Sequence, residues 1–369
     1  MKKQKLHTPI CDMFGIKYPI FSAGMGGIVS PAGPELAAAV SEAGGLGVLG
    51  GAFVEPEELR KWIMQVREMT DKPFGVDTLI PFSVTQGNLN NPIKLDVKLP
   101  HEHQEFVEQF ADKYDLGDLP EVDIPIFDPV FIKEQLEMVL EMNVPVYVAG
   151  IGDPGYLIDR AKEMNLDMKV GVVVGAVRHA EKSLANGVDF IVAQGHDGGG
   201  HNAIVGTMAL IPQVVDAVRG EIPVLGAGSI MDGRQMVAAM ALGAQGVWCG
   251  SAFLATHEAR LSNGQKEMLI RTKETGTALS KHFTGKRARV INGLWVEEAA
   301  NSGLEPLPMH QQLAMTDPIM RAADAQGRVD VNPGVAGQGV GMITEIRSAG
   351  DVVHALAAHA TEVLENGII

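Results

Sequence analysis

The chain has 369 residues, 46% of them apolar, which is enough length and core material for one elaborated α/β domain or two ordinary ones. A formal charge of −15 argues against nucleic acid as the partner, since that binding rests on Lys and Arg neutralising phosphates. Two cysteines, Cys11 and Cys249, make no disulfide framework; with no apolar run after the basic Met1–Lys5 and no membrane-length apolar stretch, a cytoplasmic protein is expected.

In chain order, short β-rich apolar runs recur, each followed by a turn signal and a helical stretch. Strands are expected at Pro19–Ser22, Leu46–Leu49, Phe74–Thr78, Val144–Ala149, Lys169–Val174, Phe190–Ala193, Val224–Ala227 and Gly246–Cys249. Runs without polar alternation suit parallel strands buried on both faces. Helices are expected at Pro34–Glu42, Pro56–Met69, Ile132–Glu141, Gly155–Met164, Arg178–Asn186, Ile211–Val218 and Gly233–Leu242. The first two open with Pro, which a first helical position tolerates. Eight such strands are the count of a (β/α)8 TIM barrel, with a doubly wound open sheet as the alternative.

Two stretches interrupt the alternation. Leu79–Val130, after the third strand, is polar, proline-bearing and charged at its centre. Ala259–Asp330, after the eighth, reads as largely helical. In a barrel both lie on the catalytic face, as lids or substrate walls, or else as solvated packing or an oligomer contact. The whole of 1–369 is read as a single barrel, with 79–130 inserted over the active-site face and 259–330 as a helical lid or subdomain. A homodimer through the helix-rich tail stays open.

Three motifs carry chemistry. Ser22-Ala23-Gly24-Met25-Gly26-Gly27 follows the first strand, and its small residues let the backbone approach a flat ligand. Gly226-Ala227-Gly228-Ser229-Ile230 and Gly250-Ser251 end strands seven and eight, where barrels commonly bind phosphate through backbone N–H groups and a helix dipole. Gln194-Gly195-His196-Asp197-Gly198-Gly199-Gly200-His201 follows the sixth strand. Three consecutive glycines are costly to order, so they belong where the backbone passes something closely. A neutral imidazole beside them can give or take a proton near pH 7. His196, Asp197 and His201 match no helical metal motif, and no metal is expected.

With these motifs placed, the chain resembles the nitronate monooxygenase (2-nitropropane dioxygenase-like) family of FMN-dependent barrels, from Pro19 to Ala336-Gly337-Gln338-Gly339-Val340-Gly341. The resemblance implies FMN without a metal. It implies that His201, closing the glycine run, lies near the flavin ring and the substrate as the catalytic residue. Ala23, Gly24, Met25 and Gly26 would run along the isoalloxazine. Gly226, Ala227, Gly228, Ser229, Gly250 and Ser251 would hold the phosphate, and Asp77, Gln194, Gly199 and Gly200 would lie near the cofactor. The sequence also departs from the family. Asp197-Gly198-Gly199-Gly200-His201 replaces Glu-Ala-Gly-Gly-His, Ala23-Gly24-Met25 replaces Ala-Pro-Met, and Ser251-Ala252 replaces Thr-Arg. Asp77 stands where Asn is common, and a carboxylate there is expected to add negative charge beside the flavin.

The implied activity is oxidation of an alkyl nitronate by FMN and O2, with a small-molecule substrate and neither nucleic acid nor membrane as partner. The alternative is a reductase that uses NAD(P)H as co-substrate and acts on an enoyl or other CoA or ACP thioester, or on a quinone. A nucleotide-monophosphate dehydrogenase-like barrel would need a Cys nucleophile after the sixth strand, where this chain has glycines and His. A non-catalytic ligand-binding barrel is the remaining alternative.

Overall fold

A computed structural model describes residues 6–27, 30–80, 98–121 and 128–367. Its strands in chain order are β1 (Ile20–Ser22), β2 (Gly47–Gly50), β3 (Phe74–Ile80), β4 (Val146–Gly152), β5 (Lys169–Val174), β6 (Phe190–Gln194), β7 (Gly200–His201), β8 (Val224–Ala227), β9 (Gly246–Cys249), β10 (Thr277–Ser280) and β11 (Ala288–Ile291). Eight of them form one parallel sheet in the order β1-β9-β8-β6-β5-β4-β3-β2. A parallel bridge between Phe21 and Leu46 joins its two ends and closes the barrel. All seven expected helices are present, with boundaries within a few residues. The open-sheet alternative is thereby set aside.

Strand side chains divide between two cores. Phe21, Val48, Val148, Phe190, Val192, Leu225 and Trp248 fill the barrel interior. Their neighbours Ile20, Leu49, Ile191, Ala193 and Val247 point outward to the helices. This is the double burial that makes parallel strands read as unbroken apolar runs. A short helix that the sequence reading lacks, Pro9–Phe14, adds Ile10, Cys11 and Phe14 to the interior cluster. The Phe14 ring meets Phe21 and Phe190 edge-on at 5.3 and 5.2 Å.

The two interruptions pack together. Helix His101–Lys113 of the first shares a core with helices Leu294–Asn301 and Met309–Ala325 of the second. The Trp295 ring lies 5.6 Å from that of Phe106 and 5.1 Å from that of Phe110. Within the first interruption, 81–97 and 122–127 lie outside the described residues. The second corrects the largely helical expectation. Between helices Asn263–Arg271 and Leu294–Asn301 it forms an antiparallel hairpin, β10–β11. Strand β11 then pairs with β7, matching Ala288 to His201 and Arg289 to Gly200. The histidine singled out from sequence is thus an edge residue of a small three-stranded sheet, held by a segment about 90 residues later in the chain.

Candidate active site

A cavity of about 300 Å³ opens where the barrel strands end, within the size range of small-molecule sites. It is lined by Ala23, Gly24, Met25, Gly26, Asp77, Gln194, Gly199, Gly200, His201, Ala227, Gly228, Ser229, Gly250 and Ser251. Of the residues expected from sequence, one does not reach it. A Cβ on Gly226 would meet Ala239 Cβ and Ile211 Cδ1 at 3.0 Å, so this glycine faces the helices and serves packing.

The loops after β8 and β9 are parallel neighbours. No described residue accepts a hydrogen bond from the backbone N–H of Gly228, Ser229, Gly250 or Ser251. Gly228 and Ser229 have positive φ, 117° and 53°, and successive N–H groups in such a turn form an anion-binding concavity. The helix after β9 is only four residues, Ser251–Leu254, so these N–H groups rather than a long helix dipole supply the attraction. Among the side chains, Ser229 is committed elsewhere. Its Oγ donates to Asp197 O and accepts from Gly339 N at 2.9 Å. Ser251 Oγ accepts from Gly337 N at 2.8 Å and keeps its own proton. Unpaired N–H groups and one free hydroxyl, with no bulky side chain, fit a phosphate group.

The glycine–histidine loop is held from several sides. Asn202 Nδ2 donates to the carbonyls of His196, Gly198 and Gly200 at 3.4, 3.2 and 3.3 Å. The buried Arg289 donates through Nε to His196 O at 3.1 Å. Gln194 Nε2 donates to His201 O at 2.9 Å. Asp197 Oδ2 accepts from Thr207 N at 2.7 Å, ahead of helix Thr207–Val218. Burial opposes the Asp197 charge, but its bonds to Thr207 prevail and hold the carboxyl below its usual range. His196 does not line the cavity, and its Nδ1 lies 3.4 Å from Asp197 Oδ1.

His201 lines the cavity and places Nε2 2.8 Å from Thr284 Oγ1. Burial pushes its pKa down to about 4, with the Lys286 ammonium adding to the effect. The ring is therefore neutral at pH 7.

Asp77 lines the cavity. It is buried, and burial raises its pKa well above the ordinary aspartate value, offset by the bond from Gly150 N–H. Burial therefore disfavours the charged carboxylate here. Like the amide of Asn, a neutral carboxyl can both donate and accept. Two departures from the family also touch. A Cβ on Gly24 would lie 2.2 Å from Asp77 Cβ, and one on Gly150 would lie 2.5 Å from Asp77 Oδ1. The Asp77 side chain occupies space that only glycines at 24 and 150 leave free.

The second interruption supplies part of the remaining wall, one of the roles expected for it, through residues that the sequence did not single out. Phe283, Thr284, Met309 and Leu313 come from the second interruption, and Pro333 and Val335 from the segment after it. Only proximity in the fold brings them here; no motif marks them.

Comparison with known proteins agrees with this geometry. The chain matches the nitronate monooxygenase family over residues 7–359. A protein named "Probable nitronate monooxygenase" from Staphylococcus aureus is 33% identical, covering 85% of this chain and 86% of its own. The structure of nitroalkane oxidase from Streptomyces ansochromogenes superposes with a TM-score of 0.80 at 29% identity, covering 97% of this chain and 99% of that one. FabK from Thermotoga maritima superposes with a TM-score of 0.72 at 28% identity, covering 98% of each chain.

Proposed function

From the premise that this chain belongs to the nitronate monooxygenase family and is a flavin-dependent oxidoreductase, we propose that it binds FMN and oxidises alkyl nitronates, or the nitroalkanes from which they form, with O2. The observation that carries this reading is the meeting, in one cavity, of unpaired N–H groups at Gly228, Ser229, Gly250 and Ser251 with the imidazole of His201.

FMN would supply the redox chemistry between substrate and O2. The chain's own groups bind and orient. The loops after β8 and β9 take the phosphate through backbone N–H groups, with Ser251 Oγ as a further donor. Ala23, Gly24, Met25 and Gly26 leave room for a flat ring along β1. Asp77, whose charge burial disfavours, would offer a hydrogen bond beside that ring. Phe283, Met309 and Leu313 form an apolar wall that favours an alkyl tail over water. Neutral His201 acts on substrate through a ring nitrogen. It either donates to an anionic nitronate or takes a proton from the α-carbon of a neutral nitroalkane.

The alternative source of electrons is NADH or NADPH. Oxygen uptake with propyl-2-nitronate, nitropropane or NADH as sole reductant separates the readings. With His201→Asn, turnover of neutral nitropropane falls by about 10²–10⁴-fold, the share a general base contributes. Unchanged turnover on both nitro compounds would remove His201 from the chemistry.

A further inference from the structure

Thr284 sits in the loop between β10 and β11, and its hydroxyl has two neighbours. It lies 2.8 Å from His201 Nε2 and 3.3 Å from the carbonyl oxygen of Lys286. A hydroxyl carries one proton. If that proton goes to Lys286 O, the oxygen is left as an acceptor toward His201, and Nε2 must carry the ring's hydrogen. If it goes to Nε2, the contact to Lys286 O is lost and Nδ1 carries the hydrogen instead. Only the first arrangement uses both contacts, as a directed chain from Nε2–H through Thr284 to the carbonyl. Thr284 is itself buried and lines the cavity, so both contacts lie in a low-dielectric setting where an unmade bond is costly.

The loop that carries Thr284 is firmly seated. Three donors converge on the carbonyl of His282: Trp295 Nε1 at 3.1 Å, Gln312 Nε2 at 2.8 Å and Thr316 Oγ1 at 3.3 Å. Gly285 N closes the turn on Lys281 O at 2.7 Å. On the opposite side, the pairing of β7 with β11 fixes the His201 backbone. Both ends of the Nε2–Oγ1 contact are thus anchored.

We infer that Thr284 is a positioning residue that holds His201 as its Nε2–H tautomer and leaves Nδ1 as the bare nitrogen, a proton acceptor rather than a donor. No described residue donates to Nδ1. This inference rests on the proposed role of His201 and sharpens it. A bare nitrogen cannot donate a hydrogen bond to an anionic nitronate, but it can take a proton from the α-carbon of a neutral nitroalkane. That C–H bond then breaks to give the nitronate and an imidazolium whose Nε2–H still points at Thr284.

The test is the ¹⁵N spectrum of histidine-labelled, FMN-loaded protein, with the His201 signals assigned by their loss in His201→Asn. The expected result is a protonated Nε2 and a bare Nδ1, kept in Thr284→Ser. Thr284→Val should mix the tautomers and lower kcat on neutral nitropropane by about tenfold or more, up to the 10²–10⁴-fold span of a general base. Thr284→Ser should restore most of it. A protonated Nδ1 in the wild-type protein, or a Thr284→Val protein with unchanged tautomer and rate, would overturn the inference. The wild-type spectrum decides the tautomer even if Thr284→Val does not fold. Failure of the functional reading looks different: His201→Asn would keep its turnover while the tautomer stayed as inferred.

Discussion

The two sides of the cavity are built from different material. The barrel side is mostly backbone: Gly24, Gly26, Gly199, Gly228 and Gly250, with unpaired N–H groups at the ends of β8 and β9. The outer side is mostly side chain: Phe283, Thr284, Met309 and Leu313, from a hairpin and a helix far along the chain. A backbone surface binds what is common to many ligands, a phosphate and a flat ring. A side-chain surface selects among substrates. The cofactor should therefore depend on the first side and the substrate on the second.

The largest expected effect tests the backbone side. Ser251→Asp puts a carboxylate beside the phosphate position, where two charges about 4 Å apart repel by about 4 kcal/mol at the effective dielectric of a protein surface. FMN affinity should fall about 10³-fold in a fluorescence titration, with the fold retained by circular dichroism. An unchanged affinity would move the phosphate away from these loops.

A smaller effect is expected on the other side. Phe283→Ala removes part of the apolar wall and should raise the KM for propyl-2-nitronate about tenfold, in line with pocket contacts worth 1–3 kcal/mol. FMN affinity should stay within about twofold. A loss of FMN instead would erase the division between the two sides.

The smallest effect belongs to Asp77→Asn. Because burial disfavours the Asp77 charge, the amide should leave the flavin spectrum and FMN affinity nearly unchanged at pH 7. Stability should respond with a definite sign. The folded-state pKa of Asp77 is raised, so its favourable contribution is complete below the ordinary Asp range and is lost as pH rises through the folded value. Asp77→Asn should thus match the wild type in Tm near pH 4 and exceed it near pH 8. A lower Tm at pH 8 would mean that Asp77 is ionised and paired.

How much of this was legible in the sequence follows the same division. The strands could be read because burial on both faces leaves unbroken runs such as Lys169–Val174 and Phe190–Gln194. The glycine loops could be read because close backbone approach leaves few residue choices. Gly226 was over-read: it resembles its loop neighbours in sequence but faces Ala239 and Ile211. How readily Asp77 ionises was not legible, because ionisation depends on enclosure, which residue type does not encode. Thr284 and Phe283 were missed because the segments Thr277–Ser280 and Ala288–Ile291 are too short and mixed to announce a hairpin. Their place beside His201 depends on pairing with a two-residue strand about 90 positions earlier.

The most direct measurement is the anaerobic visible spectrum of the FMN-loaded protein, with propyl-2-nitronate and NADH added in separate cuvettes. Bleaching of the flavin band by the nitronate and not by NADH is the predicted result. Bleaching by NADH alone, or a protein that neither holds nor takes up FMN, would contradict it.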